Sequence, residues 1–121
     1  MTQSLEDYLE TILVLIQERQ RARVSDIAKA MNVKMPSVIK ALFELKRLGL
    51  VQQEPYRDIE LTQKGKRVGN LILNRHTLLK SFLLKLGIDP DVAEKDACAM
   101  EHILSAQTLD KIKNFLTKEI E

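Results

Sequence analysis

Residues 23–61 read RVSDIAKAMNVKMPSVIKALFELKRLGLVQQEPYRDIEL, and the order of features in this stretch decides the fold. Val24, Ile27 and Ala28 recur at helical spacing and predict a short helix from Arg23 to Ala30. Asn32 closes it, because asparagine tolerates the left-handed backbone of a helix end. Pro36 suits a first helical position, where its missing N–H is no loss, and opens a helix to about Leu48. Its inward residues are Val38, Leu42, Leu45 and Leu48, and Gly49 ends it. Leu50–Gln53 and Asp58–Leu61 then read as strands on either side of the turn Glu54-Pro55-Tyr56-Arg57. Two helices joined tightly and followed by a hairpin describe a winged helix-turn-helix.

Upstream, Ser4 with Asp7 reads as a capping box for a first helix from about Leu5 to Arg19, with Leu5, Tyr8, Leu9, Ile12, Leu13 and Ile16 inward. Downstream, Thr62 caps a long fourth helix to about Leu86, carrying the stripe Val68, Leu71, Ile72, Leu79 and Leu83. Gly87 stops it. Asp89-Pro90 starts a fifth helix from Pro90 to about Leu104, and Ser105 caps a sixth with Leu109, Ile112, Phe115 and Leu116 on one face. The expected fold is mainly α. A winged helix-turn-helix with a two-stranded β wing spans residues 1–62, and an α-helical domain spans 63–121.

Composition bounds the function. At 121 residues and 45% hydrophobic, the chain fits one domain, or a small domain with an appended subdomain. Aromatic residues make up only 4% and tryptophan is absent, so the core must be aliphatic and small, which favours dimerisation. A single cysteine excludes an internal disulfide and fits a reducing cytoplasm. The apolar run Ile12–Ile16 is too short to span a membrane, and the acidic start is unlike a signal peptide.

The net charge of +2 conceals a segregation. From Arg19 to Arg67 there are twelve Lys or Arg against five Asp or Glu, a net of +7, which leaves −5 on the remainder. A basic segment suggests a polyanion partner and an acidic remainder suggests a cation; ordinary solvated helix faces are the alternative. If Val38, Leu42 and Leu45 face the core, then Pro36, Ser37, Lys40, Glu44 and Arg47 lie opposite. Ser37 and Lys40 can reach base edges or phosphates, while Lys34 and the backbone N–H groups near Met35 suit phosphate. Arg47 extends the same face, although Glu44 keeps it from being uniformly basic. Arg57 at the hairpin tip is either a wing contact or an ordinary charged turn residue.

The second chemical motif is Cys98-Ala99-Met100-Glu101-His102. Positions 98, 101 and 102 are spaced i, i+3 and i+4, so on a helix a thiol, a carboxylate and an imidazole share a face. Each is a divalent-metal ligand. Taken singly, each has a plainer reading: Cys98 as a small hydrophobe, His76 and His102 as core or surface histidines, Asp7 as a capping residue, Glu10 as a solvated acid.

With this topology in place, the chain resembles the diphtheria-toxin-repressor and manganese-transport-regulator family of metal-dependent repressors. The resemblance rests on Ser4-Leu5-Glu6-Asp7-Tyr8-Leu9-Glu10, Ala22-Arg23-Val24-Ser25-Asp26-Ile27-Ala28, Leu61-Thr62-Gln63-Lys64-Gly65, Arg75-His76 and Glu101-His102. It implies that the helical half binds metal and dimerises. The manganese branch implies ligands at Asp7, Glu10, His76, Glu101 and His102, with Cys98 standing where that branch has glutamate. The iron branch has cysteine there, but has methionine at the position of Asp7. Its ancillary site expects a carboxylate near Lys80 and a histidine near Glu94, and this chain has neither. The ligand set is therefore a hybrid.

The resemblance implies a cytoplasmic repressor of metal-ion homeostasis, not an enzyme; the donor chemistry favours Fe²⁺ as its activator with Mn²⁺ a close second, while Co²⁺, Ni²⁺ and Zn²⁺ suit the same donors in vitro. Its partners would be a second copy of the chain and a pseudo-palindromic double-stranded operator, with no membrane. The chain ends just after the sixth helix, so no C-terminal SH3-like domain is expected. The competing readings are a metal-independent winged-helix repressor, a small metalloenzyme using Glu101 as a base, and an interaction module without DNA. The basic segment speaks against the last, and the lack of an HExxH motif or phosphate loop speaks against the enzyme.

Overall fold

The computed structural model describes residues 1–55 and 57–120, the side chains of 119 and 120 excepted. Tyr56, part of the expected turn, lies outside the described residues. The elements run α1 (Gln3–Arg19), α2 (Val24–Met31), α3 (Met35–Arg47), β1 (Val51–Gln52), β2 (Glu60–Leu61), α4 (Gln63–Lys85), α5 (Pro90–Met100) and α6 (Ala106–Ile120). β1 and β2 are antiparallel, with Val51 opposite Leu61 and Gln52 opposite Glu60. The chain divides into two compact units, residues 1–71 and 72–121, with the division falling inside α4.

In the first unit α1, α2 and α3 pack through Leu9, Ile12, Ile27, Val38 and Leu45, all fully buried. Tyr8, Leu9, Ile12, Leu13, Ile27, Ala28, Val38, Leu42 and Leu45 are buried as expected, whereas Leu5, Ile16, Val24 and Leu48 are half-buried. Several ends differ. α1 is capped by Thr2, whose hydroxyl accepts from the Leu5 backbone N–H at 3.2 Å, so Ser4 and Asp7 are not its capping box. α3 starts one residue earlier than expected, with Lys34 as N-cap and no side-chain cap bond. Its opposite end turns through Gly49, whose φ of 74° suits only a residue without Cβ strain. The strands are two residues long rather than four, because Ile59 directs its N–H to the Ala22 carbonyl (2.9 Å) instead of to β1.

Thr62 joins the hairpin to α4. Its hydroxyl donates to the Gly49 carbonyl (2.6 Å) and accepts from the Gly65 N–H (3.0 Å), the N-cap role expected of it. The helix approaches so closely that a Cβ on Gly65 would run into the Leu50 carbonyl, and one on Gly69 would lie 3.3 Å from Leu13. Of the apolar stripe expected on α4, Ile72, Leu79 and Leu83 are buried, but Leu71 is 62% exposed.

In the second unit Leu79 and Leu83 of α4 pack with Ala93 and Ala97 of α5 in one buried cluster. Phe82, Ile88, Met100, Leu104, Leu109 and Ile112 surround this core. Phe82 meets Phe115 of α6 edge to face at 6.0 Å, a favoured quadrupolar geometry. α5 ends at Met100, four residues short of expectation. The Ile103 and Leu104 N–H groups both turn back to the Met100 carbonyl (3.1 and 3.2 Å), because α6 must already begin at Ala106. Ser105 caps α6 as expected, accepting from the Thr108 N–H at 3.2 Å.

Candidate metal centre and nucleic-acid interface

The early end of α5 changes the geometry of the Cys98–His102 motif. Cys98 sits on the last turn of the helix, Glu101 is its C-cap, and His102 lies in the turn beyond. The three do not share one regular helical face. Glu101 turns inward and is fully buried, whereas Cys98 is exposed, which removes its reading as a packed hydrophobe.

Around Glu101 the second unit gathers two imidazoles. Glu101 Oε2 lies 3.1 Å from His76 Nδ1, and Glu101 Oε1 lies 3.2 Å from His102 Nε2. The side chains of His76 and His102 are 10% and 2% exposed, so the whole group is dry. His76 comes from α4, and its other nitrogen, Nε2, lies 3.0 Å from Glu94 Oε1 on α5. Cys98 Sγ stands 3.7 Å from His76 Nδ1. Donor atoms of His76, Glu94 and Cys98 lie within 4.8 Å of one another, a spacing at which one cation could be held.

Glu94 was not among the residues expected in the site. It bonds Lys80 Nζ at 3.0 Å through its second oxygen. Burial pushes its carboxyl up, but hydrogen bonds and positive charge from Lys80 and His76 outweigh this and hold it below the usual carboxylate range. The signal that could have found it is spacing. Glu94 is four residues before Cys98, and Lys80 four after His76, so each shares a helix face with an expected ligand. The two positions where the resemblance left the ancillary site without its ligands are thus joined to each other as an ion pair.

The donor set fits a divalent cation. A carboxylate wholly removed from water is costly unless positive charge is brought to it. With Nε2–H given to Glu94, His76 presents Nδ1 to Glu101 and Cys98, the orientation a carboxylate–histidine–metal arrangement uses. Carboxylate, imidazole and thiol together suit first-row transition ions. Asp7 and Glu10 lie in the first unit, i and i+3 on α1 and both half-buried. Because Thr2 caps α1, the capping role no longer accounts for Asp7.

On α3, Val38, Ala41, Leu42 and Leu45 are buried, while Met35, Pro36, Ser37, Lys40 and Arg47 are exposed, as is Lys34 before it. Arg47 is drawn to Glu44, Nη2 to Oε2 at 2.8 Å, so its charge is partly cancelled on its own helix. Arg57 of the hairpin pairs with Glu54 at 3.3 Å, both side chains well exposed. The helix also exposes Ile39 and Phe43, which the sequence reading did not single out.

Two family models match in the same order as the two units. One, described as the iron dependent repressor N-terminal DNA binding domain, matches residues 1–59. The other, the iron dependent repressor metal binding and dimerisation domain, matches residues 62–118. This chain belongs to the iron-dependent repressor family. Members are metal-dependent transcriptional repressors, which sets aside the metalloenzyme reading. Among its relatives is an uncharacterised HTH-type transcriptional regulator of Methanocaldococcus jannaschii, 42% identical over 120 residues and covering 98% of this chain and 96% of that one. The HTH-type transcriptional regulator MntR of Bacillus subtilis strain 168 is 42% identical over 111 residues, covering 92% of this chain and 78% of MntR. The solved structure of the manganese regulator SloR superposes with a TM-score of 0.84 at 28% identity, over 97% of this chain. The chain spans about half of SloR, 55% of its length. Among the described residues no helix is long and apolar enough to cross a membrane.

Proposed function

We propose that this family member is a cytoplasmic repressor of metal-ion homeostasis, loaded by Fe²⁺ ahead of Mn²⁺, that binds a pseudo-palindromic operator as a homodimer. The observation that carries the metal reading is the fully buried Glu101 carboxylate set between His76 Nδ1 and His102 Nε2. Glu101, His76, His102 and Cys98 would hold the ion, and we add Asp7 and Glu10 of α1 as further ligands. When bound, the cation would bring positive charge directly onto this buried carboxylate. Asp7 and Glu10 would then tie α1 to the same charge balance, so that loading orders the DNA-binding residues 1–62 with the helical residues 63–121. Lys34, Met35, Pro36, Ser37, Lys40, Arg47 and Arg57 are the proposed DNA contacts.

The exposed thiol favours Fe²⁺. Sulfur is a poor donor for the harder Mn²⁺, so Cys98 moves the set away from the all-carboxylate and imidazole kind, even though relatives carry manganese in their names. Anaerobic titration with each ion, read by operator binding, tests this. Wild type should respond at lower free Fe²⁺ than Mn²⁺, and Cys98→Glu should reverse the order; equal operator affinity with and without both ions rejects the metal switch itself.

A further inference from the structure

Large apolar side chains on a water-facing helix need a reason when they come as neighbours. Ile39 is 56% and Phe43 68% exposed, and their i, i+4 spacing stacks them on one side of α3 beside Lys40. This helix belongs to the matched DNA-binding domain and is otherwise ringed by Lys34, Lys40, Lys46 and Arg47, all exposed. Cations of that kind meet phosphate and carry little sequence information.

Base identity in the major groove is usually read by Arg, Lys, Asn or Gln in bidentate contact. α3 reads MPSVIKALFELKR and contains no Asn or Gln. Its one arginine, Arg47, sits on the last turn and is bonded to Glu44. Beside Ser37 and Lys40, which can reach base edges, the other way for this helix to tell one base pair from another is apolar contact with the C5-methyl of thymine, which projects into the major groove. We infer that Ile39 and Phe43 are specificity-determining residues that read thymine methyl groups, with Lys40 and Lys34 holding the helix on the flanking phosphates. Burial of these side chains against methyls would remove apolar surface from water on both partners. The inference rests on the DNA-binding reading of α3 given above.

The test uses the full chain with Mn²⁺ or, anaerobically, Fe²⁺. A duplex is selected from a random pool, and the same duplex is remade with deoxyuridine for thymine, which removes only the C5-methyl. Wild type should bind the uridine duplex about fourfold more weakly for each methyl contacted. Phe43→Ala and Ile39→Ala, both at exposed positions that leave the core untouched, should bind the thymine duplex more weakly and lose most of the further uridine penalty. Lys40→Ala should weaken both duplexes by one common factor and flatten the salt dependence. Equal wild-type binding to the two duplexes, or a full uridine penalty in the Ile39/Phe43 double variant, overturns the inference and leaves the DNA-binding function standing. Failure to select any duplex overturns both.

Discussion

Two regions invert the ordinary placement of side chains, and they do so in opposite senses. α3 exposes Ile39 and Phe43 to water, whereas the second unit buries Glu101 with two imidazoles. The first leaves apolar surface facing water; the second holds a carboxylate against two imidazoles, away from water. A surface helix can present its face without disturbing its own core, so the cost of the inversion is small and local. A buried carboxylate influences everything packed around it, because attraction and repulsion are strong where water is excluded. The exposed face of α3 can therefore change by single substitutions, while the buried Glu101–His76 pair depends on its neighbours, among them Glu94 through His76 Nε2.

That contrast can be broken most directly at Glu101. Without the variant, metal at a hundred times its dissociation constant should stabilise the protein by about 2.7 kcal/mol. Glu101→Ala should abolish that gain in a thermal melt, while hydrogen exchange in α3 of the metal-free protein stays unchanged; a retained metal shift would remove Glu101 from the site. Gly65→Ala attacks the other region through its support. The Leu50 carbonyl is backbone and cannot swing aside, so overpacking should cost about 1–3 kcal/mol in a denaturant titration. A neutral result there would mean that the junction of hairpin and α4 is looser than drawn.

A smaller effect sharpens the idea of a supporting layer. Glu94→Ala frees both His76 Nε2 and Lys80, and metal affinity should fall about tenfold by calorimetry with hydrogen exchange in α3 unaffected. Unchanged affinity would make Glu94 a bystander. The smallest effect lies at Asp26 on α2. Burial raises its carboxyl, but hydrogen bonds from the Arg23 backbone and guanidinium, with nearby positive charge, outweigh this and lower it overall. A lowered folded-state value means the unfolded state binds the proton first, so the stabilisation is present above about pH 4 and fades as pH falls through the folded value. Asp26→Asn should lose that acid-side component, seen as a shallower fall of melting temperature below about pH 4.

Much of this was legible along the chain. The periodicity of Val38, Leu42 and Leu45 fixed the buried face of α3, and Asn32, Gly49 and Thr62 marked turns by their own backbone or hydroxyl chemistry. Helix ends were less legible where competition decided them. Thr2 outcompeted Ser4 as a cap, and α5 stopped at Met100 because of the constraint from α6. Cys98, Glu101 and His102 were recognisable as metal-ligand types, but their assumed common face followed a helix that ends before two of them. Ile39 and Phe43 were visible as residues yet drew no notice, since exposure of an apolar side chain depends on what fails to cover it.

The sequence by itself determined the element order, the inward faces, the basic segment and the kinds of donor available, because these follow from local spacing and side-chain chemistry. Only the tertiary structure decided that Glu101 is buried and Cys98 exposed, that Lys80 pairs with Glu94, and that Glu94 takes one nitrogen of His76. Those outcomes depend on how α4 and α5 pack through Leu79, Leu83, Ala93 and Ala97, and no local pattern encodes a distance between two helices.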